Sequence, residues 1–325
     1  MRIFVTGMTG FLGDQLGSKL LKRGHVLGTL VRNVSSADRP IASNTESMIR
    51  GDKKQGVSYY YGDLTDYLTV QDALTDFKPD VIIHLGAQTS VAYSFTHVTE
   101  VLNVNFLGVV NMAEAARRTL PKLKRFIFSG SAEEYGIQTK FPIKETSDLR
   151  AASPYAVAKI ASEKFLRYLY DAYKFPVVIF RNANSYGRKH NHQFVIESMI
   201  YQMYQGKSPI KLGDPTPLRD FVFEPDLLYA YVLAAESNSK KILGESINVS
   251  TGKAISIKEL AQKVASITGY KGKINWNSFP KRALEIPCLQ MDNSKVKKLL
   301  KWKPSVTLEE GLAITASYYA PKKVN

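Results

Sequence analysis

The chain has 325 residues, 44% of them hydrophobic, with 44 Lys and Arg against 29 Asp and Glu for a formal net charge of +15. That is enough chain for one large α/β domain and a smaller one, and no apolar run approaches the roughly 18 residues that span a bilayer. The single cysteine, Cys288, excludes an intrachain disulfide framework, and the basic residues are spread along the chain, which argues against nucleic acid as a partner.

Residues 3–6 form the first predicted strand, and the chain runs from Met1 straight through it into a glycine turn, Thr6-Gly7-Met8-Thr9-Gly10-Phe11-Leu12-Gly13. This opening does not resemble a secretory leader, so a cytoplasmic protein is expected. A helix over 14–22 and a strand over 26–32 follow. The polar stretch 33–55 reads as a long loop, either an ordered arm or a mobile insertion. Next come strand 57–61, helix 69–76, the short apolar strand 81–85, a long helix over 98–118 and strand 125–129. A helix from Tyr155 to about residue 173 and strand 177–180 complete the alternation. Such alternation predicts an α/β fold, a Rossmann-type doubly wound parallel sheet with helices on both faces.

Beyond Arg181 the pattern loosens. Helices near 194–204, 225–235 and 257–267 are separated by loops holding Gly213, Pro215, Pro217 and Gly252. The expected division is a cofactor-binding domain over 1–180, completed by parts of 215–250, and a smaller α-rich C-terminal substrate domain over 181–325.

Gly7, Gly10 and Gly13, with Phe11 and Leu12 among them, lie between a strand and a helix. A tight turn there brings backbone N–H groups and a helix N-terminus to a pyrophosphate. At the end of strand 26–32, Arg32, with Ser35 and Ser36 close by, suits the 2′-phosphate of NADP better than the ribose hydroxyls of NAD, which an acidic side chain would meet. Asp63, followed by Leu64, is in position to reach an adenine. Leu85, Ala87 and Gln88 would pass beside the cofactor's phosphates and ribose, and His84 reads as a packed core histidine. No metal site is expected.

Tyr155 and Lys159 stand at i and i+4, on one helix face. An ammonium beside the phenol favours the phenolate, giving a base that takes a proton from a substrate hydroxyl while hydride leaves the same carbon. Ser129-Gly130-Ser131-Ala132-Glu133-Glu134-Tyr135-Gly136 follows a sheet strand. Read as extended, it projects Ser131 and Glu133 together and Glu134 away. Ser131 would share a hydrogen bond with the reacting oxygen, and Glu133 would be a second acid/base.

These residues resemble the extended short-chain dehydrogenase/reductase family of nucleotide-sugar enzymes over nearly the whole chain. The G-x-x-G-x-x-G spacing is that family's form. Within it the nearest likeness is to the GDP-mannose 4,6-dehydratases and the reductases of GDP-4-keto-6-deoxymannose. Further pieces carry it: Gly62-Asp63-Leu64-Thr65-Asp66, Leu85-Gly86-Ala87-Gln88-Thr89-Ser90-Val91, Leu218-Arg219-Asp220-Phe221, Glu285-Ile286-Pro287, and Asp292-Asn293-Ser294-Lys295 leading to Trp302-Lys303-Pro304. The resemblance implies an NADP-dependent 4,6-dehydratase. Tyr155 would take the proton of the sugar 4-hydroxyl as hydride leaves C4, Glu133 would remove the C5 proton and help expel the 6-hydroxyl as water, and hydride would return to C6.

The resemblance also assigns the substrate diphosphate to Asn184, although Ala183 and Arg188 depart from the family's Phe and Pro. Arg219 and Arg282 are the candidates for bidentate contact with the substrate phosphates, Gln88 is a further substrate contact, and Asn105 matches a position that steadies the active-site side chains. The reductase, 4-epimerase and decarboxylase activities of the same family are alternatives. Helices 98–118 and 153–173 resemble the pair that forms a four-helix interface, which implies a homodimer or homotetramer.

Overall fold

In strands whose alternate residues are all apolar, both faces must be covered, and that requirement sets the architecture. The computed structural model describes residues 1–32, 56–187, 192–280 and 282–321; the 33–55 segment, with Ser35 and Ser36, and Arg188 lie outside them. The strands are β1 (Arg2–Thr6), β2 (Val26–Val31), β3 (Val57–Tyr61), β4 (Val81–His84), β5 (Arg125–Ser131), β6 (Val177–Asn182), β7 (Asn184–Tyr186), β8 (Ile210–Lys211), β9 (Leu218–Phe223), β10 (Ser246–Val249), β11 (Ala254–Ser256), β12 (Ile274–Asn275) and β13 (Cys288–Leu289). The α-helices are α1 (Phe11–Lys22), α2 (Tyr67–Phe77), α3 (Val91–Ser94), α4 (Val98–Leu102), α5 (Gly108–Thr119), α6 (Pro154–Tyr173), α7 (Val195–Tyr204), α8 (Glu224–Glu236), α9 (Ile257–Thr268), α10 (Ser294–Leu300) and α11 (Leu308–Ser317).

Seven strands form one parallel sheet in the order β10-β6-β5-β4-β1-β2-β3. Along β1, Ile3 and Val5 pack with Leu16 and Leu20 of α1 and Leu227 and Tyr231 of α8. Phe4 points to the other face, with Phe77 of α2, Met112 of α5 and Leu166 of α6. The strand order reverses direction at β1, whose two neighbours are β2 and β4. The crevice this opens at the carboxyl ends is where ligands bind in open α/β sheets.

The structure differs from the sequence expectation in two places. The helix expected over 98–118 is two α-helices joined by a π-helical turn, Asn103–Leu107, whose extra residue turns Asn105 into the protein interior. The second half is less purely helical than expected. It carries a sheet in the order β11-β9-β13, with β7 also paired to β9, and a β8–β12 pair. Most of these strands are two or three residues long, too short to show a period of two. β10, inside the 215–250 stretch expected to complete the first domain, forms the edge of the main sheet beside β6.

The tail is fastened to α8 by one carboxylate. Asp226 accepts from the Ser305 N–H at 2.9 Å, the Ser305 hydroxyl at 2.5 Å and the Val306 N–H at 3.1 Å. The Trp302 indole donates to the Asp226 carbonyl at 2.8 Å. Asp226→Ala strands three donors and is expected to lower the unfolding free energy by about 1–3 kcal/mol, read by chemical denaturation.

Candidate active site

At the crevice, Gly7 adopts φ +70°, and a Cβ there would lie 2.8 Å from the Gly86 nitrogen. A Cβ on Gly13 would lie 2.1 Å from the Gly7 carbonyl oxygen. Glycines are therefore required for β1, the turn and α1 to close up on the β4 loop. Gly10, the N-cap of α1, contributes no capping side chain, so the turn presents backbone N–H groups and the positive helix end to the crevice. Thr6 ties the two loops together: its hydroxyl accepts from the Gly86 N–H at 3.0 Å and bonds with His84 Nδ1 at 3.1 Å. Burial pushes the His84 ring down to about 3, so it is a neutral packed histidine.

A cleft of about 320 Å³ runs along this edge and gathers Gly7, Gly10, Phe11, Leu12, Gly13, Arg32, Asp63, Leu64, Leu85, Ala87, Gln88, Tyr155 and Lys159. A glycine cradle whose space any Cβ would fill, below an uncapped helix end, fits a dinucleotide pyrophosphate. Arg32, exposed, also lines an open cavity with Tyr61, Gly62 and Asp63. Asp63 is partly committed elsewhere, since its Oδ1 accepts from the Thr65 N–H at 2.9 Å and hydroxyl at 2.7 Å. Tyr61, 70% exposed at the end of β3, was not singled out from sequence; its register with Val31 brings it beside Arg32.

Gln88 is held by Asn105. The Asn105 carboxamide accepts from the Gln88 N–H at 2.7 Å and donates to its carbonyl at 2.8 Å, and the Asn105 carbonyl accepts from the Ser162 hydroxyl of α6 at 2.8 Å. The Gln88 side chain donates to Glu100 at 2.8 Å, and the Tyr93 hydroxyl donates to the same carboxylate at 2.6 Å. Glu100 is a contact that sequence reasoning missed.

Tyr155 and Lys159 share one face of α6, whose N-terminus is capped by Ser153 accepting from the Ala156 N–H. Their electrostatics differ from expectation. The Lys159 ammonium donates to the Ser129 carbonyl at 2.7 Å and sits 5.8 Å from the Tyr155 ring centroid. Burial raises the Tyr155 phenol well above its ordinary range, with the Ser131 hydrogen bond acting in the opposite sense and the Glu134 and Glu133 charges adding to the rise. Burial likewise lowers the Lys159 ammonium. The i, i+4 spacing aligns the pair but does not supply the phenolate by itself.

The Ser131 segment is not extended beyond its first residue. Ser131 caps a short 3-10 turn, Ala132–Tyr135, in which its hydroxyl accepts from the Glu133 N–H at 3.2 Å while the Glu134 carboxylate accepts from the Ser131 N–H at 2.6 Å. The turn separates the two glutamates. Glu133 faces Arg219, Arg282 and Glu285, and Glu134 is fully buried. Burial raises Glu133, and the two arginines oppose the rise.

Arg219, 7% exposed, donates to Glu285 at 3.2 Å, and Arg282 is exposed. Asn184 is half-buried on β7, in register with Phe221, two residues along β9 from Arg219. The expected cofactor residues therefore line one cleft. Ser131 is joined to Tyr155, and Glu133 belongs with the arginines. Cys288 is buried in β13, its thiol raised by burial, which suits packing. Among the described residues no cluster of three or more His, Cys, Asp or Glu could hold a metal ion.

Fold and site define a Rossmann-type enzyme of the extended short-chain dehydrogenase/reductase nucleotide-sugar class. The family model for GDP-mannose 4,6 dehydratase matches residues 4–315, and the chain belongs to that family. UDP-glucose 4-epimerase of Mycolicibacterium smegmatis is 32% identical over 326 residues, covering 99% of each chain. Human dTDP-D-glucose 4,6-dehydratase is 27% identical and covers 98% of this chain and 89% of that one. A crystal structure of UDP-glucuronic acid 4-epimerase from Bacillus cereus, in complex with UDP-glucuronic acid and NAD, is similar with a TM-score of 0.87 at 26% identity, covering 98% of this chain and 99% of that one.

Gly13→Ala tests the cradle. The added methyl drives α1 off the turn, so dinucleotide affinity is expected to fall by on the order of tenfold or more, measured by titration calorimetry.

Proposed function

We propose that the protein is an NADP-dependent nucleotide-sugar 4,6-dehydratase, with GDP-mannose the first substrate to test. The observation that carries this reading is the Ser131–Tyr135 turn. It joins Ser131 to Tyr155 on one side and carries the Glu133 carboxyl toward Arg219 and Arg282 on the other, so two groups that move protons adjoin one binding region. A bound nicotinamide dinucleotide supplies a hydride acceptor for oxidation at C4 and gives the hydride back at C6.

Tyr155 takes the proton of the 4-hydroxyl, with Ser131 sharing a hydrogen bond to the same oxygen. The C4 ketone acidifies C5, whose proton Glu133 removes and then delivers to the departing 6-hydroxyl as water. Hydride return to C6 of the resulting enone leaves an enolate that takes up a proton at C5, which balances the one released from the 4-hydroxyl through Tyr155. Glu133 fits this double task because burial raises it from the ordinary carboxylate range. A diphosphate held by Arg219, Arg282 and Asn184 neutralises the two cations that hold Glu133 down, which strengthens it as a base once substrate is bound. The arginine pair suits a diphosphate because guanidinium groups bind phosphate oxygens in pairs.

NADP is preferred over NAD because Arg32, rather than an acidic side chain, stands at the end of β2 and lines the open cavity with Tyr61. The Bacillus cereus structure contains NAD, so the preference is a property proposed for this chain. Arg32→Ala is expected to weaken NADP binding by roughly tenfold or more while leaving NAD nearly unchanged, measured by calorimetry with both cofactors.

A second reading, 4-epimerase on a UDP-sugar, is favoured by the Mycolicibacterium smegmatis relative. GDP-mannose, dTDP-glucose and UDP-glucose are each incubated with catalytic NADP⁺ or NAD⁺ and the products identified by mass. Loss of 18 Da as water, on the order of one per sugar and without net cofactor reduction, supports the dehydratase. An isomer of unchanged mass supports the epimerase, and stoichiometric NADPH consumption on a 4-keto sugar supports a reductase. Tyr155→Phe is expected to cut turnover by roughly a thousandfold with cofactor affinity preserved. Glu133→Gln is expected to stop water loss while leaving C4 oxidation measurable, and normal dehydration by this variant would overturn Glu133 as the C5 base.

A further inference from the structure

The residue after Glu133 has no part in the reaction as derived so far, yet it is among the most constrained in the molecule. Glu134 is fully buried. One carboxyl oxygen accepts from the Ser131 N–H at 2.6 Å, and the other is buried with no hydrogen-bond partner. Room for this carboxyl exists because residue 130 is glycine. A Cβ there would lie 2.6 Å from Glu134 Oε1 and 2.8 Å from the Phe180 carbonyl oxygen. The Glu134 backbone carbonyl also accepts from the Arg150 N–H at 3.0 Å.

The charged groups facing Glu134 come from two elements. From α6 come Lys159 and Glu163, with Tyr155 one turn earlier, and from β6 comes Arg181. Arg181 is already spent. It makes two bonds to Glu163, at 2.6 and 2.9 Å, and donates to the Tyr135 hydroxyl at 2.8 Å and the Glu145 carbonyl at 3.0 Å. Glu163 is satisfied as well, by Arg181, by Arg167 at 3.0 Å and by the Ser246 hydroxyl at 2.8 Å. The remaining cation is Lys159, whose hydrogen bond goes to the Ser129 carbonyl.

The geometry points to Glu134 as a positioning residue. Its carboxyl sets the aim of the turn that carries Ser131 and Glu133, and from the buried side it is the second titratable group of the Tyr155–Lys159 pair. The inference rests on the proposed role of Tyr155. Burial and the Glu163 charge both raise Glu134, so it holds its proton well above the usual carboxyl range. Neutral, it leaves Lys159 as the uncancelled cation beside Tyr155. Ionised, it opposes phenolate formation. A proton lost from either Glu134 or Lys159 removes the positive charge that favours the phenolate, so the two groups titrate as one unit.

Two variants separate the roles. Glu134→Gln keeps the oxygen that accepts from Ser131 but cannot ionise, and Glu134→Leu keeps bulk but loses the acceptor. Both are made in the cofactor-bound enzyme beside Tyr155→Phe. With the nucleotide sugar that turns over in the three-substrate panel, Glu134→Leu is expected to lower kcat by on the order of tenfold to a hundredfold with KM little changed, and Glu134→Gln to restore most of it. In Glu134→Gln only Lys159 is left to lose the first proton, so the alkaline fall of kcat moves up by about 0.3 pH unit or more.

A substrate-free arm reads the same group. A carboxyl raised by folding destabilises the native state as pH climbs from the ordinary carboxyl range to its folded value. The wild-type melting temperature is therefore expected to fall relative to Glu134→Gln as pH rises from about 5 to about 9. Parallel melting profiles for wild type and Glu134→Gln, or an unmoved alkaline limb, would overturn the inference. Turnover retained by Tyr155→Phe would overturn the Tyr155 reading instead, whatever Glu134 does.

Discussion

The contact on which the rest depends is the backbone approach of Gly7 to Gly86, with Gly13 stacked on the same turn. It joins the ends of β1 and β4 where the sheet order reverses, and any side chain at Gly7 or Gly13 would collide with main chain at 2.1–3.0 Å. Because the contact is backbone on backbone, it cannot be relaxed by a rotamer change. It fixes where α1 begins, where the β4 loop leaves the sheet, and so where a pyrophosphate would lie in the cleft that Gln88, Tyr155 and Lys159 also line. The cleft is a consequence of strand order and of three missing Cβ atoms.

Behind the cleft, a buried polar network ties the chemical residues to the sheet. Glu163 belongs to the same helix as Tyr155 and Lys159, and its pair with Arg181 is almost wholly out of water, the two side chains being 1% and 4% exposed. Such a pair contributes little net stability over an apolar alternative, because both charges lose their hydration. Its effect is geometric. It locks α6 against β6, and through the Tyr135 hydroxyl, which donates to Asn248 at 2.6 Å, against β10. The residues that would move protons are held on the sheet by groups that do not.

Expectation and structure part company where the chain is locally ambiguous. The first half was legible because its strands are four to seven residues long and largely apolar and alternate with helices, and the cofactor residues fall at the strand ends where the fold presents its ligand edge. The π turn at Asn103–Leu107 was not legible, since one extra residue inside a helix leaves the apolar spacing nearly intact. The 3-10 turn at Ala132–Tyr135 was also missed. Reading Ser131 to Glu133 as extended separated the two glutamates correctly, but for the wrong reason: the separation comes from the capping box that turns Glu134 back onto the Ser131 N–H.

Sequence by itself determined the class: the glycine turn after a first strand, the alternation of strand and helix, and Tyr155 and Lys159 on one helical face follow from local spacing and elementary backbone geometry. Only the tertiary structure decided the electrostatics. Tyr155 is raised because it is buried, Lys159 is lowered and turned to the Ser129 carbonyl, Glu133 is held down by the charges of two arginines contributed from beyond residue 200, and Glu134 is fully buried. Each of these depends on which distant groups share a low-dielectric space and on how far water is excluded. Spacing along a chain encodes the first kind of fact and leaves the second to the packing of the whole.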